Sequence, residues 1–166
     1  MSLDNIQLPA IVIQEMFKNS LIDCKSEKQV RENTSEATLT FLGNNDKQVL
    51  ILVKNADSLY MPDEELTFLL GILTACKLTM NDVAIINLQQ QPKFNYTAIG
   101  KDIFANTIIQ FGTKPADIEL PMSFPTYQLQ AYNNQTYLCA PELSILQQDK
   151  AEKMKLWNCL KTLFSI

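Results

Sequence analysis

The sequence predicts a three-layer α/β/α sandwich around a mostly parallel central sheet. Two observations carry the prediction. Three short apolar runs, VLILV at 49–53, VAIINL at 83–88 and TIIQF at 107–111, are spaced along the chain, and helical apolar periods occupy 66–76 and 150–164. Runs this short, with little polar alternation, suit strands covered on both faces. Strands separated by helical segments pair in parallel through right-handed crossovers.

The elements follow in order. In QLPAIVIQEMFK at 7–18, Pro9 marks a helix start, and Ile11, Val12, Met16 and Phe17 form a broad apolar face. That face needs cover, from its own domain or from a partner. The polar stretch 23–36 reads as an irregular connector, so 1–36 is an N-terminal helix plus connector and 37–166 a single α/β/α domain. Ala37–Leu42 and Val49–Lys54, joined by GNNDKQ, read as a hairpin of an edge strand and a central strand. A helix is expected after Pro62, with Asp63, Glu64 and Glu65 at its positive end and Leu66, Leu69, Leu70, Leu73 and Cys76 on its apolar face. Thr79 and Asp82 can support each other before the strand at 83–88, and Thr97 can cap a short helix running through Asp102 and Phe104.

After the strand 107–111 ends at Gly112, the prolines at 115, 121 and 125 predict an irregular excursion over 113–126. Tyr127–Gln130 and Thr136–Cys139 then form a hairpin around Asn133 and Asn134. Pro141 opens a short turn or helix containing Leu143, Ile145 and Leu146. Asp149 caps a last helix from about Lys150, in which Met154, Trp157, Leu160 and Phe164 make a stripe beside Leu156 and Leu163.

Composition limits the chemistry. With 166 residues, 46% of them hydrophobic and 19% charged, the chain fits one domain that buries most of its unfolded surface. It contains no histidine, which removes the usual general base near neutral pH and the usual nitrogen ligand of metals. Any chemistry must therefore run on carboxylates, thiols, hydroxyls or lysines. A net charge of −4 argues against broad electrostatic attachment to duplex nucleic acid or an anionic membrane. The acidity is concentrated early, with 6 basic and 11 acidic residues over 1–76 against 8 and 7 over 77–166.

Cys24, Cys76, Cys139 and Cys159 show no metal-ligand spacing and read as small buried or half-buried side chains. No cofactor or metal is expected. Apolar runs fall short of the ~18 residues of a membrane span, no basic-then-apolar leader opens the sequence, and a reducing cytoplasm is the expected location.

Two stretches carry a resemblance. IIQFGTKP at 108–115 precedes a proline-rich bend and a hairpin, and YLCAPELSILQQDKAEKMKLWNCLKTLF at 137–164 contains a Pro turn, a leucine pair and K-x-x-x-W-x-x-L through Lys153, Trp157 and Leu160. Across about 49–164 this resembles the psi-subunit family of bacterial DNA polymerase III holoenzyme. The resemblance implies a uracil-DNA glycosylase-like fold and a noncatalytic accessory role in replication or repair, with a clamp loader and a chi-like subunit as partners. It also implies docking through an apolar N-terminal segment, for which Ile11, Val12, Met16 and Phe17 stand in the corresponding position. The additional strand and connector before Val49 depart from the family pattern.

The glycosylase kinship implies a water-positioning Asp or Asn after the first core strand, where Asn55 and Asp57 stand, with Tyr60 as a wall. The family's histidine turn falls at CAPEL, 139–143, with Cys139 or Ala140 near the place of the missing imidazole. A degenerate nucleobase glycosylase or other nucleic-acid hydrolase is thus the competing expectation. Asp57 before Ser58 also suits an ordinary solvated turn. Gly112, Thr113 and Lys114 offer backbone N–H groups after a strand but lack a phosphate-loop motif. Lys150, Lys153, Lys155 and Lys161 form either a solvated helix face or a patch for nucleic acid or an acidic partner. They lack the aromatic interleaving of single-strand grooves.

Overall fold

The computed structural model describes residues 39–166. The segment carrying Ile11, Val12, Met16 and Phe17, and the connector 23–36, lie outside the described residues. Three apolar runs become neighbouring parallel strands of a five-stranded sheet: β1 (Val49–Val53), β2 (Val83–Asn87) and β3 (Thr107–Phe111). The sheet is completed by β5 (Gln135–Ala140), parallel to β3, and by β4 (Leu129–Tyr132), antiparallel to β5, in the order β2-β1-β3-β5-β4. Val49 faces Val83 on one side and Thr107 on the other, so both edges of β1 are paired.

Side chains alternate across the sheet and divide the core in two. Val49, Ile51, Val53, Val83, Ile85, Ile109, Phe111 and Leu138 face the helix layer, where they meet Leu69 and Leu73 of α1 (Asp63–Ala75), Leu143 and Leu146 of α2 (Leu143–Gln148), and Leu156 and Leu160 of α3 (Lys150–Phe164). Leu50, Leu52, Ala84, Ile86, Ile108 and Tyr137 face the other way. That second face is covered by 3-10 turns at Tyr96–Ala98 and Pro115–Ile118 and by irregular chain that supplies Phe94, Ile99, Ile103, Ile118 and Leu120. The α/β/α layer order is therefore present. Among the described residues, however, all three α-helices lie on one face.

Connection handedness accounts for this division. The chain leaves β1 in one direction through α1 to reach β2, then returns past β1 to β3. A right-handed crossover in the reverse direction lies on the opposite face. The β2–β3 and β3–β4 connections were too broken by Pro, Gly and polar residues to form long helices, and they cover that face as tight turns.

Several expectations need correction. The segment ending at Leu42 does not form a hairpin with β1. Leu42 makes an isolated antiparallel bridge to Ile85, with hydrogen bonds of 2.9 and 2.8 Å, and the N–H groups of Asn45, Asp46 and Lys47 donate to carbonyls of residues 81–83. With both edges of β1 paired, the outer edge of β2 is the available ladder. The turn before residue 98 is capped by Asn95, whose side chain accepts from the Ala98 N–H, rather than by Thr97, and Phe104 is exposed.

On α3, Leu156 and Leu160 are buried but Met154 is 54% exposed. At 100° per residue Met154 lies about 160° round the helix from Leu156 and about 120° from Leu160, too far to share their face. The Asp149 cap, accepting from Ala151 and Glu152 at 2.7 and 3.3 Å, and the turn at Asn133 and Asn134, with φ of 51° and 60°, match the sequence reading. Among the described residues no helix is long and apolar enough to cross a membrane.

Candidate functional site

In an open α/β sheet, ligand sites form at the carboxyl ends of the strands where neighbouring connections leave toward opposite faces. Here that point falls between β1 and β3. The crevice there is lined by Val53, Lys54, Asn55, Phe111, Glu65 of α1 and Glu142 beside α2, and its volume is about 60 Å³. Small-molecule sites usually begin at about 300 Å³. The space admits a few waters but no nucleobase.

The crevice is small because the chain's own groups use its polar atoms. Asn87, closing β2 at 1% exposure, accepts from the N–H groups of Asn55 and Gln89 at 3.0 and 3.1 Å. Its amide nitrogen donates to the carbonyls of Asn55, Ser58 and Leu59 at 2.7, 2.9 and 3.2 Å. One buried amide thus ties the loop after β1 to the end of β2. Asn55 turns the loop again, its side-chain oxygen accepting from the N–H groups of Asp57 and Ser58 at 2.9 and 3.0 Å. Asp57 is exposed, and neither it nor Tyr60 lines the crevice.

The β3 side is closed in the same manner. Gly112 has φ 63°, and a Cβ there would run into Glu142 Cγ, so glycine permits both the left-handed turn and the approach of Glu142. The Gly112 N–H donates to Ala140, and the Lys114 N–H donates to Asp117 at 2.7 Å, leaving neither of these two amides free for a phosphate. Lys54 reaches Asp117 at 3.3 Å. Burial, and then the neighbouring Glu142 carboxylate, raise the Glu65 carboxyl above its ordinary range.

Cys139, near the place of the glycosylase histidine, is buried at the end of β5, and its thiol donates to Gln110 Oε1 at 2.9 Å. Burial pushes that thiol up to about 11, so it stays a neutral donor. Cys76 is also buried and Cys159 half-buried, as the sequence reading expected of these two.

The four lysines of α3 have separate surroundings. Lys155 pairs with Glu152 at 2.6 Å and lies over the Tyr127 ring, whose hydroxyl donates to the same Glu152. Lys153 lies 5.3 Å over Phe68, and Lys161 lies 5.5 Å over Trp157. Lys150 opens the helix and is exposed. Trp157 itself is half-buried, packed on the helix-face core at its inner edge.

Sequence reasoning did not single out Asn87 or the pairing of Glu65 with Glu142. A polar amide closing the run VAIIN was the only available signal for Asn87. No protein-family model matches this chain, and no curated protein matches it in sequence.

Proposed function

We propose that the chain is a noncatalytic protein-interaction subunit similar to the psi subunits of DNA polymerase III, built on a uracil-DNA glycosylase-like sheet and acting in cytoplasmic replication or repair. The observation that carries this reading is the closed crevice at the switch point. A glycosylase needs a dry, base-sized pocket with a water-positioning group and a donor for the leaving base. The space between β1 and β3 is about 60 Å³, and the Asn55 oxygen is already engaged by its own loop. These features weigh against the hydrolase alternative built on Asp57 and Asn55.

In this reading Ile11, Val12, Met16 and Phe17 enter an apolar groove on a clamp-loader component, and the α/β/α domain engages a second, chi-like protein. The residues at 108–115 and 137–164 that resemble the psi family lend support. Affinity purification from the native cell, with the full chain and with a variant lacking residues 1–20, tests it. The expected result is recovery of polymerase components by the full chain and their loss from the truncated protein. Equal recovery by both refutes the tether. Base release from single-stranded DNA that disappears in Asp57→Ala would establish the hydrolase instead.

A further inference from the structure

We infer that the groove between α1 and α3 is a docking site for an amphipathic helix of a partner protein that carries acidic residues beside its apolar stripe. The inference rests on the reading of the chain as a binding protein and identifies a surface that the domain itself contributes. The groove has a volume of about 430 Å³, with Phe68, Gly71 and Ile72 on the α1 wall, Trp157 on the α3 wall, and the buried Leu156 and Leu160 at its floor. That is within the range of ligand pockets, and two aromatic anchors in an apolar cleft between helices suit the helix-in-groove mode of recognition.

Gly71 adds an independent observation. It sits in the interior of a 13-residue helix, where glycine is the least favourable residue after proline. A Cβ at this position would meet nothing within 4 Å. No neighbour therefore excludes a side chain there, and its absence keeps the α1 wall of the groove low.

Charge selects the occupant. Residues 150–161 carry four lysines and one acid on a chain whose net charge is −4. Lys153 lines the groove and lies over the Phe68 ring, Lys161 lies over the ring of the lining Trp157, and among the described residues neither is within salt-bridge distance of a carboxylate. A partner helix seated on the apolar floor would bring acidic flanking residues to these ammonium groups. A basic helix would meet repulsion there.

Trp157 is the chain's single tryptophan, so its emission reports on the groove. The full-length protein is titrated with a synthetic helix of about 18 residues, some five turns. This probe carries leucines on one stripe and glutamates on both flanks, and its control has lysine in place of glutamate. The acidic peptide is expected to shift Trp157 emission and to bind about ten-fold more tightly than the basic one. Gly71→Leu, which projects into the groove, is expected to weaken it about ten-fold, and Lys153→Glu with Lys161→Glu to reverse the preference.

Gly71→Ala, which favours helix while adding one methyl, controls for folding of α1. Several results would overturn the assignment: no response to either peptide, equal binding of both, or full affinity retained by Gly71→Leu. A Trp157 signal that follows protein concentration without peptide would do the same, since it would place a second copy in the groove. Residues 1–20 are intact in all these proteins, so a failed groove and a failed N-terminal tether are read separately.

Discussion

At the carboxyl end of the sheet the crevice encloses about 60 Å³ among Lys54, Asn55, Glu65 and Glu142, whereas the groove between α1 and α3 encloses about 430 Å³ among apolar side chains. Unpaired backbone groups in the loop after β1 would carry a desolvation penalty, and Asn87 removes it by drawing the loop onto β2. No such demand acts between α1 and α3, whose backbone groups are paired within each helix. Polar loops close around their own hydrogen bonds, while helix faces with small or flat side chains leave apolar space. The difference is one of lining, polar and self-bonded at the switch point and apolar between the helices.

The contrast can be tested by substitution, beginning with the floor of the groove. Leu160→Ala removes a side chain that is 1% exposed and should cost about 3 kcal/mol in denaturant unfolding. A loss well below about 1 kcal/mol would show that the floor is loosely packed. On the crevice side, Asn87→Ala should cost about 2 kcal/mol and speed hydrogen exchange at Asn55 and Gln89, whose N–H groups it holds. Unchanged exchange would mean that the crevice is not closed by Asn87.

Two smaller effects sharpen the comparison. Gly71→Ala should raise stability by roughly 1 kcal/mol, because the new methyl has open space and the helix gains propensity. Destabilisation by this change would mean that the α1 wall is already tightly covered.

Glu65→Gln should have the smallest effect, a gain below about 1 kcal/mol at neutral pH. The Glu65 carboxyl titrates above its ordinary 4.5 in the fold, chiefly through burial and next through Glu142. Its stabilising contribution is complete below the unfolded value and is lost as pH rises through the folded one. Wild-type stability should therefore fall relative to Glu65→Gln across that window, with the two curves parallel above it. Identical slopes in thermal unfolding would refute the proposed burial of Glu65 beside Glu142.

Much of the fold was legible because its determinants are local. VLILV, VAIIN and TIIQF needed only their own apolar density to be read as strands, and Asn133–Asn134 needed only tolerance of positive φ to be read as a hairpin turn. Asp149 announced α3 through a hydroxyl-free cap that accepts from the next turn. The misplaced elements depended on competition between distant segments. The chain near Leu42 joined β2 because β3 occupied the second edge of β1. Met154 satisfied an approximate helical spacing, but the packed direction of α3 was set by Leu156 and Leu160. At the candidate site, Asn55 and Asp57 were located after the correct strand, yet Asn87 passed unnoticed because the carbonyls it serves lie 32, 29 and 28 positions earlier.

The sequence alone determined the strands β1, β2 and β3, the helices α1 and α3 and the turn at Asn133–Asn134, since period, capping and allowed dihedrals act within a few residues. It also determined that no histidine takes part in any chemistry. Only the tertiary structure decided the order β2-β1-β3-β5-β4, the placement of every described α-helix on one face, and the contrast between the narrow crevice and the open groove. Those outcomes depend on which distant edges, amides and side chains reach one another, and the free energy of such contacts exists only once the layers are assembled.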